Sequence, residues 1–463
     1  MSEIVRFAQM GIEEIKGLGI NDCLSPKVIG FDGRAWMLGQ AASQRLRELT
    51  ERAIDDSAFR RRLDPKAAFD SVLQGYGTEY VCVDRAPSTA QEDRARLEIW
   101  IESAGQNCRT LTHFVPCQIG MKGVGRASLG PVTFGPAAAA LERLASPFQN
   151  SRASEDTDAA RRKDMLADKC TAYLGAFSDV AEVTVPDCDA VTSRRIADEA
   201  VQAALNSLHL LAGAYPTKGM RGGGPAMAVL ESAHIALDPD DVAVLSWRKE
   251  WEGASIHSAF WQSLSDPRRA QMVAAIGVAI DTIINRTDAE FVAARYLDAV
   301  AWYSDAVREK SLPAAIVKYL TAMERLLWTG EKGPGVTRRL AERTAALCFS
   351  TDSWDYEQLA AEVREAYELR SGIVHGRLSA SDPKVIQNHR LCERVAHDLL
   401  VTWLGRYGAG FGSPTTIQKA KTHFDGFVAE VKKETEKRKA AETVTHGCGE
   451  TSPMPPAPGA STS

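Results

Sequence analysis

Hydrophobic periodicity changes once along this 463-residue chain, and the change limits the folds open to it. Before residue 256, short segments with the alternating pattern of strands stand between clusters of Gly, Pro, Ser and Asp. From Ile256 to about residue 431 the strand pattern disappears, and apolar residues recur every three to four positions as they do in helices. We therefore predict an α+β protein, in which a mixed α/β N-terminal region precedes an all-α helical bundle.

The N-terminal region is expected to combine a small sheet with helices. Its predicted strands are 79–83, 97–102, 110–115, 132–134, 180–185 and 241–247. Residues 1–75 have a mainly helical pattern, and 193–212 forms a clear helix that ends at Gly213. The stretch 146–163 is polar and charged, which predicts a long exposed loop.

The C-terminal half is expected to be a bundle of four or more helices with short connections. Its predicted helices are 312–328, 337–348, 356–369 and one more that carries Cys392 and Trp403. The domain boundaries follow as 1–290, 291–431 and 432–463. The last segment is charged and then rich in Pro, Ser, Thr and Gly, so we predict a disordered tail.

Composition narrows the class of protein. Hydrophobic residues make up 44% and charged residues 25%, which excludes a wholly disordered, collagenous or membrane-embedded chain. The longest apolar run, 272–284, is broken by Asp281 and is shorter than the roughly 20 residues that cross a bilayer. Nine cysteines without a C-x-x-C pair, and no signal peptide at the start of the sequence, predict a cytoplasmic protein with reduced thiols and no membrane association.

The most informative stretch is 367–376, which contains Arg370 and His375 in an Arg-x4-His pattern followed by Gly376. A chain with nine histidines and many arginines contains this spacing by chance, so the spacing alone indicates little. The context is more specific, because the pattern follows a predicted helix and lies downstream of 301–303, the amphipathic helix 312–328 and the helix 340–347.

These four pieces, in this order, resemble the HEPN superfamily and in particular its Apea-like group, over residues 298–405. The resemblance implies an all-helical domain that forms a homodimer and acts as a metal-independent endoribonuclease, without a cofactor, in phage defence or toxin-like growth arrest. It assigns the catalytic positions to Arg370 and His375. Ser371 departs from the Asn, Asp or His of many active members and is the usual residue of the Apea-like group.

Elementary chemistry agrees with this assignment. A histidine, with an ordinary pKa near 6.5, can exchange a proton with the 2′-hydroxyl or the leaving oxygen of single-stranded RNA. An arginine can hold two phosphate oxygens and stabilise the charge that develops on them. On a continuous helix, however, residues five apart point about 140° from each other. One phosphate can therefore meet both only if the helix breaks, for which Gly372 is suited, or if a partner subunit completes the site.

Other readings of the same residues remain open. Arg370 can instead pair with Glu365 or Glu368 while His375 is a polar residue at a helix end, and a HEPN module can bind RNA or a nucleotide, or mediate dimerisation, without catalysis. Glu324 lies at the edge of an apolar stripe and is interpreted as a boundary residue.

Signals outside the motif are weaker. Three arginines of one predicted helix form either a phosphate-binding patch or a solvated face: Arg338, Arg339 and Arg343. Residues 298–430 contain equal numbers of acidic and basic side chains, which predicts weak RNA binding. Cys108, His113 and Cys117 have irregular spacing and lack a fourth ligand, so we predict no metal site. The first 290 residues carry no motif, and we assign them the binding of a trigger that controls the bundle.

Overall fold

The computed structural model describes residues 26–81, 88–120, 125–152, 157–223, 229–237, 243–251, 256, 258–287, 291–333, 335–349, 355–408 and 414–447. Their helices are α1 Gln40–Asp55, α2 Pro65–Tyr80, α3 Ala90–Gly105, α4 Ala137–Arg152, α5 Thr157–Gly175, α6 Ala190–Ala212, α7 Ala214–Thr217, α8 Ser258–Ser263, α9 Pro267–Asn285, α10 Phe291–Arg308, α11 Leu312–Leu327, α12 Val336–Cys348, α13 Tyr356–Val374, α14 Pro383–Tyr407 and α15 Ile417–Gly447. Their strands are β1 Lys27–Ile29, β2 Ala35–Met37, β3 Arg109–Gln118, β4 Ala127–Leu129, β5 Val132–Pro136, β6 Asp179–Cys188, β7 Arg221–Gly222, β8 Val229–Leu237 and β9 Ala243–Trp251. The predicted α+β class is confirmed.

The chain divides into two compact units, neither of which is one continuous stretch. The first contains Met1–Cys117, Pro131–Gln202 and Asp281–Asp288, and the second contains Gln118–Gly130, Ala203–Ile280 and Ala289–Ser463. The chain passes from the first unit to the second for the last time at residue 289, next to the domain boundary expected near residue 290. The earlier crossings have no counterpart in the sequence pattern.

An antiparallel sheet forms one core of the first unit. Strand β6 lies between β3 and β5, with His113 opposite Val183 and Phe134 opposite Ala181. Alternate residues of β6, including Val183 and Val185, are buried, as the pleat of a half-covered strand requires. The predicted strands 110–115, 132–134 and 180–185 are confirmed by β3, β5 and β6. Strand β9 confirms residues 243–247 of the predicted strand 241–247, and 241 and 242 lie outside the described residues.

One predicted strand is helical instead, and a second begins at the end of a helix. The segment 97–102 lies in α3, whose N-terminus has a capping box: Thr89 accepts from the backbone N–H of Glu92, and the Glu92 carboxylate accepts from the N–H of Thr89. This Thr-x-x-Glu signal is visible in the sequence and outweighs the β-branched and aromatic residues that suggested a strand. Of the segment 79–83, residues 79 and 80 end α2, and 82 and 83 lie outside the described residues.

The predicted loop 146–163 is also wrong, because it falls in α4 and α5 except for 153–156, which are outside the described residues. These helices pack on each other, and among their described side chains Ala137 and Leu174 are buried against Val180 of β6. A helix with one narrow apolar face has a mostly polar sequence, which explains the misreading.

The second unit contains the predicted bundle. Helix α11 packs against α10 and α14, and α12 packs against α13. The predicted stripe of α11 is buried at Ile316, Tyr319, Leu320, Met323, Leu326 and Leu327. Trp403 of α14 is fully buried and donates its indole N–H to the carbonyl of Val292 at 3.3 Å. The predicted helices are therefore confirmed, and α13 extends five residues beyond the predicted end at 369.

The predicted disordered tail from residue 432 is wrong as far as Gly447, because α15 continues through it. This helix buries Phe424, Val428 and Val431 on one face, and Lys432 forms an ion pair with Glu342 of α12 at 3.1 Å. Packing on the bundle thus supplies the stabilisation that the charged sequence lacks by itself. Residues 448–463 lie outside the described residues. Among the helices described, none is long and apolar enough to cross a membrane.

Candidate active site

Helix α13 carries both residues of the Arg-x4-His pattern. It begins after Asp355, whose side chain accepts from the backbone N–H of Gln358 at 2.8 Å. Its apolar face is buried at Leu359, Val363 and Tyr367, so the helix is fixed in the bundle up to its last turn. Arg370 lies in the last two turns, and His375 is the residue that ends the helix.

The end of α13 is a Schellman motif. Gly376 has φ +69°, the N–H of Arg377 donates to the carbonyl of Gly372 at 2.7 Å, and the N–H of Gly376 donates to the carbonyl of Ile373 at 3.0 Å. Only glycine adopts this left-handed conformation without strain. Gly376 therefore has a structural role as the residue that stops the helix directly after His375.

Gly372 does not break the helix, although the sequence suggested it as the point of a break. Helix α13 continues to Val374, and Gly372 is buried where a Cβ atom would lie 2.6 Å from Cδ1 of Leu378. Because Gly372 has no side chain, Leu378 of the segment that follows the helix can pack directly against it. Because the helix is continuous, Arg370 and His375 point about 140° apart within one chain.

Arg370 pairs with Glu324 of α11. Its Nη1 donates to Oε1 at 3.0 Å and its Nη2 to Oε2 at 3.3 Å, and the two side chains are 31% and 25% exposed. The Nε atom of Arg370 is buried and has no hydrogen-bond partner among the described residues. The expected alternative pairing with Glu365 or Glu368 is not what the structure shows.

Glu324 is the polar residue of the site that the sequence reading left out. Burial raises the pKa of its carboxyl, and the charge of Arg370 opposes that rise. Next to it, the buried hydroxyl of Tyr367 donates to the carbonyl of Leu320 at 3.4 Å. The signal that could have identified the pair is a glutamate at the edge of the apolar stripe of α11, which could pair with Arg370 if α11 packs against α13.

His375 is exposed, as are its neighbours Val374, Gly376 and Arg377. Arg377 donates from Nη2 to the hydroxyl of Ser371 at 3.2 Å, which places a second guanidinium on the last turn of α13. The imidazole is thus open to a ligand from solvent. A histidine that only completed the core would be buried.

The three arginines of α12 do not form one surface. Arg343 is only 1% exposed at its side chain and bonds Glu331 and Asp425, both at 2.8 Å, and the carbonyl of Leu327 at 3.0 Å. Arg338 is exposed and pairs with Glu342 one turn later. Arg343 is therefore a structural residue, and a phosphate patch that includes it is excluded.

The chemistry of the site follows from these positions. A half-buried guanidinium, held by a carboxylate, keeps a fixed orientation and a partly neutralised charge. The exposed imidazole of His375 has ring nitrogens that a ligand can reach from solvent. Within the described residues, no cluster of His, Cys, Asp and Glu has the geometry of a metal site.

Comparison with known proteins adds no assignment. No protein-family model, curated protein or solved structure matches the chain.

Proposed function

We propose that this protein is a metal-independent RNA endonuclease of the HEPN type, with Arg370 and His375 as its catalytic residues. The observation that carries the proposal is the arrangement at the C-terminal end of α13. There an arginine oriented by Glu324 is followed, five residues later, by an exposed histidine at the helix end. The surrounding helical bundle agrees with the resemblance of residues 298–405 to the Apea-like group.

The proposed reaction needs no metal or water. The 2′-oxygen of RNA attacks the adjacent phosphorus while its proton passes to the imidazole of His375, and the bond from phosphorus to the 5′-oxygen breaks. The imidazolium formed in this way gives the proton to the leaving 5′-oxygen, so the products are a 2′,3′-cyclic phosphate and a 5′-hydroxyl. Arg370 stabilises the negative charge that builds on the non-bridging oxygens.

A homodimer supplies the geometry that one chain lacks. The continuous helix directs Arg370 and His375 apart, so the two groups meet one phosphate only if they come from different subunits. A two-fold axis near the end of α13 brings each histidine to the arginine of its partner. The substrate of such an open site is single-stranded RNA, whose backbone can enter between the subunits.

The biological setting follows from the same resemblance. A ribonuclease of this kind acts in the cytoplasm, in phage defence or toxin-like growth arrest, and needs a trigger. We assign recognition of the trigger to the N-terminal 290 residues, which are larger than the bundle and carry none of the proposed catalytic residues.

The test is cleavage of a single-stranded RNA by the purified chain in EDTA. We expect products with 2′,3′-cyclic phosphate and 5′-hydroxyl ends, and loss of cleavage in both Arg370→Ala and His375→Ala. Arg364→Ala is the matched control, because Arg364 is exposed on the same helix. Cleavage that survives both substitutions would exclude the proposed site.

One observation favours a second candidate function, a HEPN module that binds RNA or a nucleotide without cleaving it. Both terminal nitrogens of Arg370 are already bonded to Glu324, so a phosphate must compete with a carboxylate for them. Such a module would bind RNA through exposed groups such as His375 and Arg377. RNA binding that Arg370→Ala leaves unchanged, with no cleavage by the wild type, would identify this function.

A further inference from the structure

Helices α1, α2 and α3 of the first unit line a cavity of about 650 Å³ that is open to solvent on one side. This volume lies within the range of roughly 300–1,000 Å³ that is usual for small-molecule sites. Leu46 and Leu49 of α1 line one side, and Leu97 and Ile101 of α3 line the other. The cavity is lined by described residues only, and it contains none of the residues assigned to RNA cleavage.

Aromatic rings form a continuous part of the wall. Tyr76 and Tyr80 are stacked with their ring centres 5.5 Å apart, and Tyr80 meets Trp100 edge to face at 6.2 Å. Phe59 completes the aromatic lining. Trp100 also donates its indole N–H to Glu79 at 3.1 Å, so the wall is fixed before a ligand arrives. A prearranged aromatic wall favours a ligand with a flat or branched apolar body.

The rim of the cavity is acidic. Four carboxylates lie on it against two arginines: Asp56, Asp93, Glu98 and Glu102, with Arg52 and Arg94. Arg94 pairs with Glu98 at 3.1 Å and with Asp56 at 4.0 Å, while Arg96 beside the rim pairs with Asp93 at 3.4 Å and with Glu79 at 3.2 Å. With Glu79 and Arg96 counted, five carboxylates face three guanidinium groups, so the net charge at the rim is negative. Hydrogen bonds from the hydroxyls of Ser88 and Tyr80 lower the pKa of Asp93, so this carboxylate stays ionised at neutral pH.

We propose that the cavity binds a small organic cation with an apolar or aromatic body. The leucines and aromatic rings remove the apolar body from water, and the acidic rim and nearby rings attract the positive charge. A nucleotide or another organic anion is disfavoured, because its phosphate would face the carboxylates. The inference does not rest on the proposed RNA cleavage.

Two probes of the same shape test the charge requirement on the full chain. Benzyltrimethylammonium carries the charge, and 2,2-dimethylpropylbenzene is its neutral carbon isostere. Ligand-observed NMR should show that both bind and that the cation binds about tenfold more tightly. Absence of binding by both probes, or equal affinity for the two, would overturn the proposal.

Variants of the rim separate charge from shape. Asp56→Asn combined with Glu102→Gln should remove the preference for the cation and leave the affinity for the neutral probe unchanged. The matched control is Asp55→Asn with Glu51→Gln, which changes two exposed carboxylates that do not line this cavity. A preference that survives the rim variant, or that the control abolishes equally, would contradict the proposed role of the rim.

A substitution that fills the cavity tests whether the probes bind inside it. Ala53 of α1 lines the cavity and is half-buried, so Ala53→Trp should block both probes in a protein whose circular dichroism spectrum is unchanged. Binding that persists in this variant would place the probe elsewhere. Absence of binding in a wild-type dimer that dissociates in Ala53→Trp would show that a second copy covers the cavity, and this too would overturn the proposal.

Discussion

Arg370 and Glu324 form a bidentate ion pair between α13 and α11, with N–O distances of 3.0 and 3.3 Å. The pair fixes the direction of the arginine at the end of the bundle where His375 is exposed. It also sets the charge that a phosphate would meet there. The chemistry of the proposed site therefore depends on a glutamate outside the Arg-x4-His pattern.

The energy of this pair can be measured by a double-mutant cycle. Glu324→Gln and Arg370→Gln, alone and together, should give a coupling free energy of about 1–2 kcal/mol, because the ion pair is bidentate and largely shielded from solvent. The neighbouring pair Arg325–Asp298 is the control: both side chains are about half exposed, and its coupling should be under about 1 kcal/mol. Urea unfolding of the wild type and the six variants measures both couplings, and equal couplings would contradict the expected difference.

The same cycle has a pH dependence with a defined sign. Burial raises the pKa of Glu324 above its ordinary value of 4.5, against the opposing charge of Arg370. The coupling exists only while the carboxylate is ionised, so it is present above the raised pKa and is lost as the pH falls through it. The loss should therefore begin at a higher pH than an ordinary glutamate would give.

Gly376→Ala tests the end of α13. A side chain in the left-handed conformation costs about 1–2 kcal/mol, so the variant should be less stable by that amount. Gly405→Ala in α14 is the opposite case, because its added Cβ has no neighbour within 4 Å and the residue is helical. This control should stabilise the protein by about 0.5–1 kcal/mol. Thermal unfolding that shows equal effects would contradict the assigned helix stop.

Arg343→Met tests the buried network of the second unit. Burial would raise the pKa of Glu331, but hydrogen bonds from Thr329 and the charge of Arg343 bring it to about 2. Removal of the arginine leaves this carboxylate buried without its cation and should cost about 3–5 kcal/mol of unfolding free energy. Arg338→Met, which removes an exposed pair on the same helix, should cost under about 0.5 kcal/mol. Similar losses in the two variants would show that Arg343 is not structural.

His209 contributes to the loss of stability in acid. It is buried, its Nδ1 is 2.8 Å from the hydroxyl oxygen of Thr217, and burial together with the charge of Arg308 lowers its pKa to about 3. The unfolded chain binds a proton below pH 6.5 that the folded chain excludes, so stability falls as the pH drops from 6.5 towards 3. The slope from this residue is up to about 1.4 kcal/mol per pH unit.

Unfolding measured at pH 7 and pH 5 tests this contribution. His209→Gln should reduce the pH dependence, while His375→Gln, at an exposed helix end, should retain it. A pH dependence that is the same in wild type and His209→Gln would show that His209 is charged in the folded protein.

The sequence was most informative where a single helix or strand buries a broad apolar face. The stripe of α11 and the alternation in β6 predicted their elements closely, because burial of such faces dominates the free energy of the element. The sequence pattern did not predict the helices α4, α5 and α15, because their stability depends on packing against residues that are distant in the chain. The helix α3 was misread although its Thr89–Glu92 capping box was visible.

For the candidate site, the sequence could identify Arg370 and His375 but could not determine their surroundings. Glu324 is 46 residues away from Arg370 and meets it only through the packing of α11 on α13. The role of Gly372 was also misassigned, since its contact with Leu378 depends on the turn that follows the helix. Long-range packing of this kind has no local sequence signal.

The most direct test of the central claim mixes two inactive subunits. If one site combines Arg370 of one subunit with His375 of the other, a random mixture of Arg370→Ala and His375→Ala chains contains hybrid dimers with one intact site. After the subunits exchange, RNA cleavage in EDTA should recover to about one quarter of the wild-type rate, since half of the dimers are hybrids with one site of two. A mixture that stays as inactive as either variant alone would contradict a site shared in this way between two subunits.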